Sequence, residues 1–415
     1  MRLLILGGGN NQINGIIRAV EKGHEVVLTD YYTDAPGRAF AGINEVISTF
    51  DVEGNIKVAE KYAVDGVMTM GTDQPVYTVA KVAHALGLPK FLDVDTAKAV
   101  TNKKTMKSIF IKHGIPTARY TLINKDYSVI DNLGLKYPVV LKPVDSQGQR
   151  GVYKLEGAEE IQVNLLNTLS FSREEEALVE EFYHGDEITV SCWVEGGHPH
   201  ILTITDRETF HYNQHIGICY AHTFPSKYLQ CEYKRINELM MDITKAFHIP
   251  KGPLYVQLLV GKDGIIVNEV ACRIGGAYED IFIPYLTGFD ILNKVIAYSI
   301  GERMECGLKE YSVLHNLKKI SVQLFFAGAG KVKDYTSVKN LMKLPGMISA
   351  GYNISKGDYI GTIKDATARA GYMVITGKDE MELSLNIDNA FTHLKIRNDK
   401  NKNLVIKMKK AGEGD

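Results

Sequence analysis

Residues 1–95 alternate short apolar runs with helical patterns, and this alternation limits the possible folds more than any other feature of the chain. Arg2–Leu6 (RLLIL) runs into Gly7-Gly8-Gly9 and then a helix predicted over about Gln12–Lys22. Glu25–Asp30 (EVVLTD) is the next strand, followed by a helix near Asn55–Tyr62, the strand Gly66–Met70 and a helix over Pro75–Leu86. Strands and helices in this order build βαβ units around a parallel sheet. The texture changes at Asp93–Asp95. Two helical patterns precede His113-Gly114-Ile115-Pro116, and then strands dominate: Ala118–Ile123, Val139–Lys142, Val152–Leu155, Ala177–Glu181, Glu187–Glu195 and His200–Asp206. Short polar turns between them predict antiparallel, α+β architecture. A long helix is expected over Tyr228–Phe247, and Leu254–Val260 and Gly264–Val267 form a hairpin around GKDG. A further α+β module begins with ISVQLFFAG. The reading is an α/β segment followed by α+β segments, divided as 1–95, 96–187, 188–310 and 311–415.

A chain of 415 residues is too long for one small core. Its formal net charge of -1 supplies no field that would draw it to nucleic acid or to an anionic membrane, so neither is expected as a partner. The Lys-rich stretch KIRNDKNKNLVIKMKK reads as a local solvated surface. Five cysteines without a CxxC pair argue against a disulfide framework or a zinc site and for a reducing, cytoplasmic setting. The apolar run at the N-terminus is too short for a signal peptide, and no stretch is long enough to span a bilayer.

Gly7-Gly8-Gly9 between a strand and a helix, with Asp30 ending the second strand, invites a dinucleotide-binding reading. The fingerprint G-x-G-x-x-G would place glycine where Gln12 stands. A tight turn whose helix N-terminus can face an anion is the simpler reading. No G-x-x-x-x-G-K-[ST] occurs, which excludes a P-loop. Thr72 and Asp73 follow the strand Gly66–Met70 at the C-terminal edge of the parallel sheet, where ligands tend to bind, and are candidate substrate contacts.

Lys142 ends an apolar strand in YPVVLKPVDSQGQRGVYKL, a costly place for an ammonium unless an anion meets it. The loop after it, Ser146-Gln147-Gly148-Gln149-Arg150-Gly151, is small, polar and glycine-spaced, and can turn backbone N–H groups toward phosphate. A plain exposed hairpin loop beside a snorkelling lysine is the alternative. Three further stretches stand in order around it: TNKKTMKSIFIKHGIP upstream, ALVEEFYHGDEITV downstream, and later PLYVQLLVGKDGIIVNEVACRIGG, with Gln257 and Glu269 on two strands of one hairpin and Arg273 four residues on.

In the order of these pieces the sequence resembles the ATP-grasp superfamily of carboxylate–amine ligases, over roughly 1–300, with a looser likeness of the tail to the accessory domain of amino-acid ligases. The resemblance implies a Rossmann-like first domain, a two-subdomain ATP-grasp fold with a glycine-rich flap, and a C-terminal accessory module. It implies that Lys103, after Asn102, reaches ATP phosphate, that Lys142 touches the α-phosphate region, and that Ser146, Gln147, Gly148 and Gly151 belong to the flap. Glu180, Glu181 and Phe182 become the adenine hinge, mostly through backbone groups, and Glu187 accepts from the ribose. Gln257 and Glu269 hold magnesium (manganese as its substitute), a Gln-then-Glu pair similar to that of carbamoyl phosphate synthetase. Arg273 stabilises the acyl phosphate and the tetrahedral intermediate. One departure stands out: the family's asparagine two residues past the glutamate is Ala271 here, so that Asn268 or water takes its place or one of two magnesium ions binds more weakly.

The segment Asp206–Ser226 (DRETFHYNQHIGICYAHTFPS) reads as a long polar-aromatic loop carrying His211, His215 and His222. In the resembled ligases such an insertion helps form the substrate pocket, which makes His215 and His222 candidate substrate contacts beside Thr72, Asp73 and Arg273. The expected function is an ADP-forming ligase that activates an amino acid or small metabolite as an acyl phosphate. The resemblance also implies a homodimer. A bicarbonate-using carboxylase or carbamoyl phosphate synthetase-like enzyme, a catalytically silent nucleotide-binding protein, and a dehydrogenase are the alternatives.

Overall fold

The computed structural model describes residues 1–130, 133–212, 215–302, 307–308 and 311–408, the side chains of 211, 212 and 215 excepted. The chain opens with β1 (Arg2–Leu6), α1 (Ile13–Glu21), β2 (Glu25–Asp30), β3 (Ile43–Val46), α2 (Val52–Lys61), β4 (Gly66–Met68) and α3 (Pro75–Leu86). The four strands form a parallel sheet in the order β3-β2-β1-β4. β1 is apolar almost without interruption because helices cover both faces of such a sheet. α3 starts on Pro75 and stops at Gly87, whose φ of 64° is left-handed. β3 is the strand that sequence periodicity misses. It is short, and alternate residues of INEV are exposed at the sheet edge.

α4 (Val94–Thr101) and α5 (Lys103–His113) lead out of this layer. Asn102 caps α5, its Oδ1 accepting from the Thr105 N–H at 3.0 Å, which makes Lys103 the first helical residue. A small antiparallel sheet follows, β5 (Tyr120–Asn124), β6 (Val139–Pro143), β7 (Tyr153–Leu155) and β8 (Glu176–Glu181), ordered β5-β8-β6-β7, with α6 (Ala158–Ser170) on one face. β6 and β7 are the two strands flanking the Gly-spaced loop, paired Val139 to Leu155 and Leu141 to Tyr153.

Then come β9 (Asp186–Glu195), β10 (His198–Tyr212), β11 (His215–Phe224), α7 (Leu229–Ala246), β12 (Gly252–Gly261), β13 (Gly264–Ala271), α8 (Glu279–Thr287) and α9 (Ile291–Ser299). The C-terminal part contributes β14 (Lys319–Ala327), β15 (Met347–Tyr352), β16 (Arg369–Gly377) and α10 (Glu380–His393). Among the described residues these strands share one nine-stranded antiparallel sheet, ordered β13-β12-β9-β10-β11-β14-β16-β15, with Val405–Ile406 pairing onto β14. The sheet therefore takes strands from both sides of the expected division at 310, and the tail also carries its own apolar cluster under α10.

The segment Asp206–Ser226, expected as a loop, is mostly the β10–β11 hairpin. Several of its described polar residues are paired with one another or with neighbouring strands, and so its alternation does not show as apolar against polar. Arg207 is ion-paired with Glu187, and Glu208 accepts from Tyr220 Oη and Thr223 Oγ1, both at 2.9 Å.

Candidate active site

A cavity of about 290 Å³ opens between the small sheet and the large one. Val140, Val152, Leu259 and Ile266 give it apolar walls, and Glu181, Phe182 and Glu187 lie along it. Lys142, the penultimate residue of β6, also lines it. Its Nζ is ion-paired with Glu180 and donates to Asn268 Oδ1 at 3.1 Å.

Glu180 carries a second lysine: Lys107 Nζ lies 2.8 Å from its Oε2 and donates to Thr117 Oγ1 at 2.6 Å. Burial raises the Glu180 carboxyl, and the charges of Lys107 and Lys142 overcome that and hold it down to about 2. Burial pulls Lys107 below the usual lysine range. Beside the backbone role expected of Glu180, its carboxylate is the counter-charge of two lysines. The N–H of Glu181 donates to Arg119 O and that of Phe182 to Pro138 O, both at 2.9 Å.

From Lys142 the polar groups continue across the hairpin β12–β13. Gln257 faces Glu269 directly in the strand register. Between Gln257 and Leu258 the register shifts, so that Asn268 is the extra residue of a β-bulge. A bulge re-aims a side chain, and here the Asn268 amide reaches Gln257 Oε1 at 3.5 Å as well as Lys142. Lys103 Nζ donates to Glu269 Oε1 and to the Ser146 carbonyl, each at 2.9 Å. Burial disfavours both charges, yet their attraction raises Lys103 and lowers Glu269.

Beyond Glu269 lies Arg273, whose Nε and Nη2 both stand 2.7 Å from Asp73 Oδ1 and whose guanidinium lies 4.6 Å from the Tyr255 ring centroid. The loop bearing Asp73 is fixed by Gln12, whose Nε2 donates to Met70 O at 2.6 Å and to Thr72 Oγ1 at 3.3 Å. Here is the reason for glutamine at the sixth fingerprint position. Gly71 donates to the Ile274 carbonyl at 3.0 Å, and a Cβ on Gly276 would stand 2.7 Å from Gly71 O, so only glycine lets these loops meet. The dinucleotide alternative loses its turn: the Gly8 N–H donates to Asp30 Oδ2 at 2.7 Å, and Gly37 N–H closes on Gly8 O at the same distance.

Lys142 and Gln257 thus meet through Asn268, Lys103 pairs with Glu269, and the Asp73–Arg273 pair lies in electrostatic reach of Lys103 and Glu269. The flap lies across these groups, with Gly148, Gln149 and Gly151 left-handed at φ 70°, 65° and 69°. Ser146 Oγ is buried without a hydrogen-bond partner.

The ATP-grasp domain family matches residues 135–280, and the L-amino acid ligase C-terminal domain 2 matches residues 323–399. The chain carries an ATP-grasp domain followed by an L-amino acid ligase C-terminal domain. It is 23% identical over 344 residues to the uncharacterized protein y4rH of Sinorhizobium fredii, covering 79% of this chain and 64% of that protein, just under two thirds of its length. It is 25% identical over 321 residues to the N5-carboxyaminoimidazole ribonucleotide synthase of Aquifex aeolicus, covering 74% of this chain and 76% of the relative. The crystal structure of L-amino acid ligase from Bacillus licheniformis superposes with a TM-score of 0.78 at 19% identity, over 96% of this chain and 98% of that one, which shows the fold. The proteins it is similar to thus include ATP-grasp ligases.

Three residues of this site carry no local sequence signal. Lys107 sits in an ordinary helical pattern. Glu279, at the start of α8, is buried, with Oε2 accepting from Ala277 N–H at 2.8 Å and Oε1 without a partner. Burial pushes its carboxyl up to about 7. Arg369 at the start of β16 has a buried Nε without a partner, and around it stand Cys219, Arg207, Tyr278 and Tyr255, none of them a carboxylate. His222 is buried on β11, 3.2 Å from Thr205 Oγ1, and burial together with Arg207 and Arg369 holds it well below the usual histidine range. The side chain of His215 lies outside the described residues. Cys192, Cys219, Cys231 and Cys272 are free thiols, and among the described residues no helix is long and apolar enough to cross a membrane.

Proposed function

We propose that the ATP-grasp protein is an ADP-forming carboxylate–amine ligase that activates an amino acid through an acyl phosphate. One observation carries this reading: Lys142, in the wall of a nucleoside-sized cavity, bonds to Asn268 on the β12–β13 hairpin, where Gln257 and Glu269 stand beside Lys103, with Asp73 and Arg273 in electrostatic reach. Adenine would lie between Val140, Val152 and Ile266, the ribose near Glu187, and the phosphates along Lys142 and Lys103 under the flap. The orphaned Ser146 Oγ is a donor that a phosphate oxygen would satisfy.

The donor set suits Mg²⁺, which needs only one or two protein oxygens beside phosphate and water. Glu269 would hold it, with the amide oxygens of Gln257 and Asn268, the last in place of the asparagine missing at Ala271. When bound, the ion would neutralise phosphate charge during transfer. The protein's own groups do the rest. Lys142 and Lys103 hold the triphosphate in line with the carboxylate, and Arg273, fixed by Asp73, faces the acyl oxygen on which negative charge develops. The flap keeps water from the acyl phosphate until an amine attacks its carbonyl carbon, the C–N bond forms and phosphate leaves.

Glu279 and Arg369 support an amino acid over a simple acid. A buried carboxylate with a free oxygen suits an ammonium, and a half-buried guanidinium whose Nε has no partner while its Nη2 donates to a carbonyl suits a carboxylate. Both lie in the electrostatic reach of Tyr255. Phosphate and ADP release, measured over a matrix of amino acids and amines with and without Mg²⁺, tests the proposal. Phosphate released only when an acid and an amine are both present supports it, and no nucleotide binding by the metal-supplied protein would overturn it.

A further inference from the structure

Three consecutive flap residues fasten to three parts of the chain. The Ser146 carbonyl accepts from Lys103 Nζ at 2.9 Å. Gln147 Oε1 accepts from the Asp73 N–H at 2.6 Å and lies 3.4 Å from the Gln74 N–H. The Gly148 carbonyl accepts from the Ala366 N–H of the C-terminal domain at 3.2 Å. Only the middle contact is made by a flap side chain. The two amides it meets precede Pro75 at the start of α3, where a helix leaves its first N–H groups without an internal acceptor. A glutamine 74 residues away supplies that acceptor. Asp73 is at the same time the residue that holds Arg273 by two contacts. The sequence places Gln147 among phosphate-facing flap residues, but its amide oxygen is turned to the first domain.

We infer that Gln147 is a positioning residue, a latch that ties the seated flap to Asp73 and through it to Arg273. The inference rests on the ligase reading above for its chemical consequence. With the latch made, the acyl phosphate lies under a closed cover and the amine is its nucleophile. With the latch lost, water attacks instead, the acyl–oxygen bond breaks, and the original carboxylate and phosphate are returned with no amide formed.

Two readouts on the full-length protein test this. Trypsin cleavage after Arg150, inside the flap, is followed with and without a non-hydrolysable ATP analogue and Mg²⁺. Gln147→Met keeps the length of the side chain and removes its oxygen, and Gln147→Ala removes both. Losing a hydrogen bond of this kind is expected to speed the cut roughly fivefold in either variant, while cuts outside the flap stay at the wild-type rate. In turnover, with the acid–amine pair found by the phosphate assay, both variants are expected to release several phosphates per amide, where the wild type releases about one. A merely structural loss would lower phosphate and amide together. Wild-type cleavage rates in both variants, or an unchanged phosphate-to-amide ratio, would overturn the latch. If the wild type turns over no pair at all, the ligase reading fails, and the cleavage rates still decide whether Gln147 holds the flap.

Discussion

Glu180 shows how much a single residue can organise. It is flanked by Lys107 and Lys142 and lies in the wall of the cavity, so removing either lysine leaves its charge half-answered. Lys142→Met is expected to lower ADP formation by roughly a hundredfold or more, in the range seen when one preorganised electrostatic contact is deleted. A coupled ADP assay checks this, with circular dichroism to show that the fold persists. Glu279 makes a prediction in pH. Its carboxyl is raised from 4.5 to about 7 in the fold, so the stability tied to its protonated form is fully present below pH 4.5 and lost as pH rises through about 7. Glu279→Gln should therefore match the wild type in melting temperature at pH 4 and exceed it at pH 8, by at most about 3 kcal/mol in stability. A gap that shrinks toward pH 8 would contradict the assignment. Neither Lys107 nor Glu279 could be singled out from the chain. A lysine in TMKSIFIK and a glutamate in AYEDIF look like solvent-facing helix residues, and only the packing of distant strands around them makes them buried.

At the scale of elements, the hairpin β12–β13 is where the chain is most readable. GKDG marks the turn and puts Gln257 and Glu269 on the two strands of one hairpin, but counting outward from it sets Gln257 opposite Asn268, where the register sets it opposite Glu269. The bulge is not readable, because one extra residue leaves no compositional trace. Yet it is the bulge that turns Asn268 inward. Asn268→Ala should raise the Mg²⁺ concentration for half-maximal ATP turnover by about tenfold, the effect typical of losing a metal-supporting contact. A magnesium titration at saturating ATP measures it. The opposite failure occurs at β10–β11. There charged and aromatic residues line a buried face, and polarity that would mark a loop elsewhere marks a site-lining strand instead.

At the scale of the molecule, the first domain meets the ATP-grasp domain through Asp73 and Arg273, a buried ion pair across 200 residues of sequence. Asp73→Ala would strand a buried guanidinium and is expected to cost about 3–5 kcal/mol, read as a lower urea midpoint. Truncation after residue 318 would strip β14 from β11 and expose Phe224, Ile218 and Ala221 along an open strand edge. The shortened protein is expected to collect in the pellet, not the soluble fraction. The order of motifs announces the ATP-grasp core, whereas the union of core and tail is invisible in sequence because strand partners so far apart share no local pattern.

That shared ladder bears on how such proteins can diversify. Were the tail a bead on a flexible tether, recombination could exchange it freely and swap one preference for another. Here any graft must present a strand that places one residue against Ala221, where Gln323 stands, and another against Thr223, where Ser321 stands. Chimeras spliced in register should fold and those spliced one residue off should not, so inheritance of the tail is bound to inheritance of the hairpin beside it.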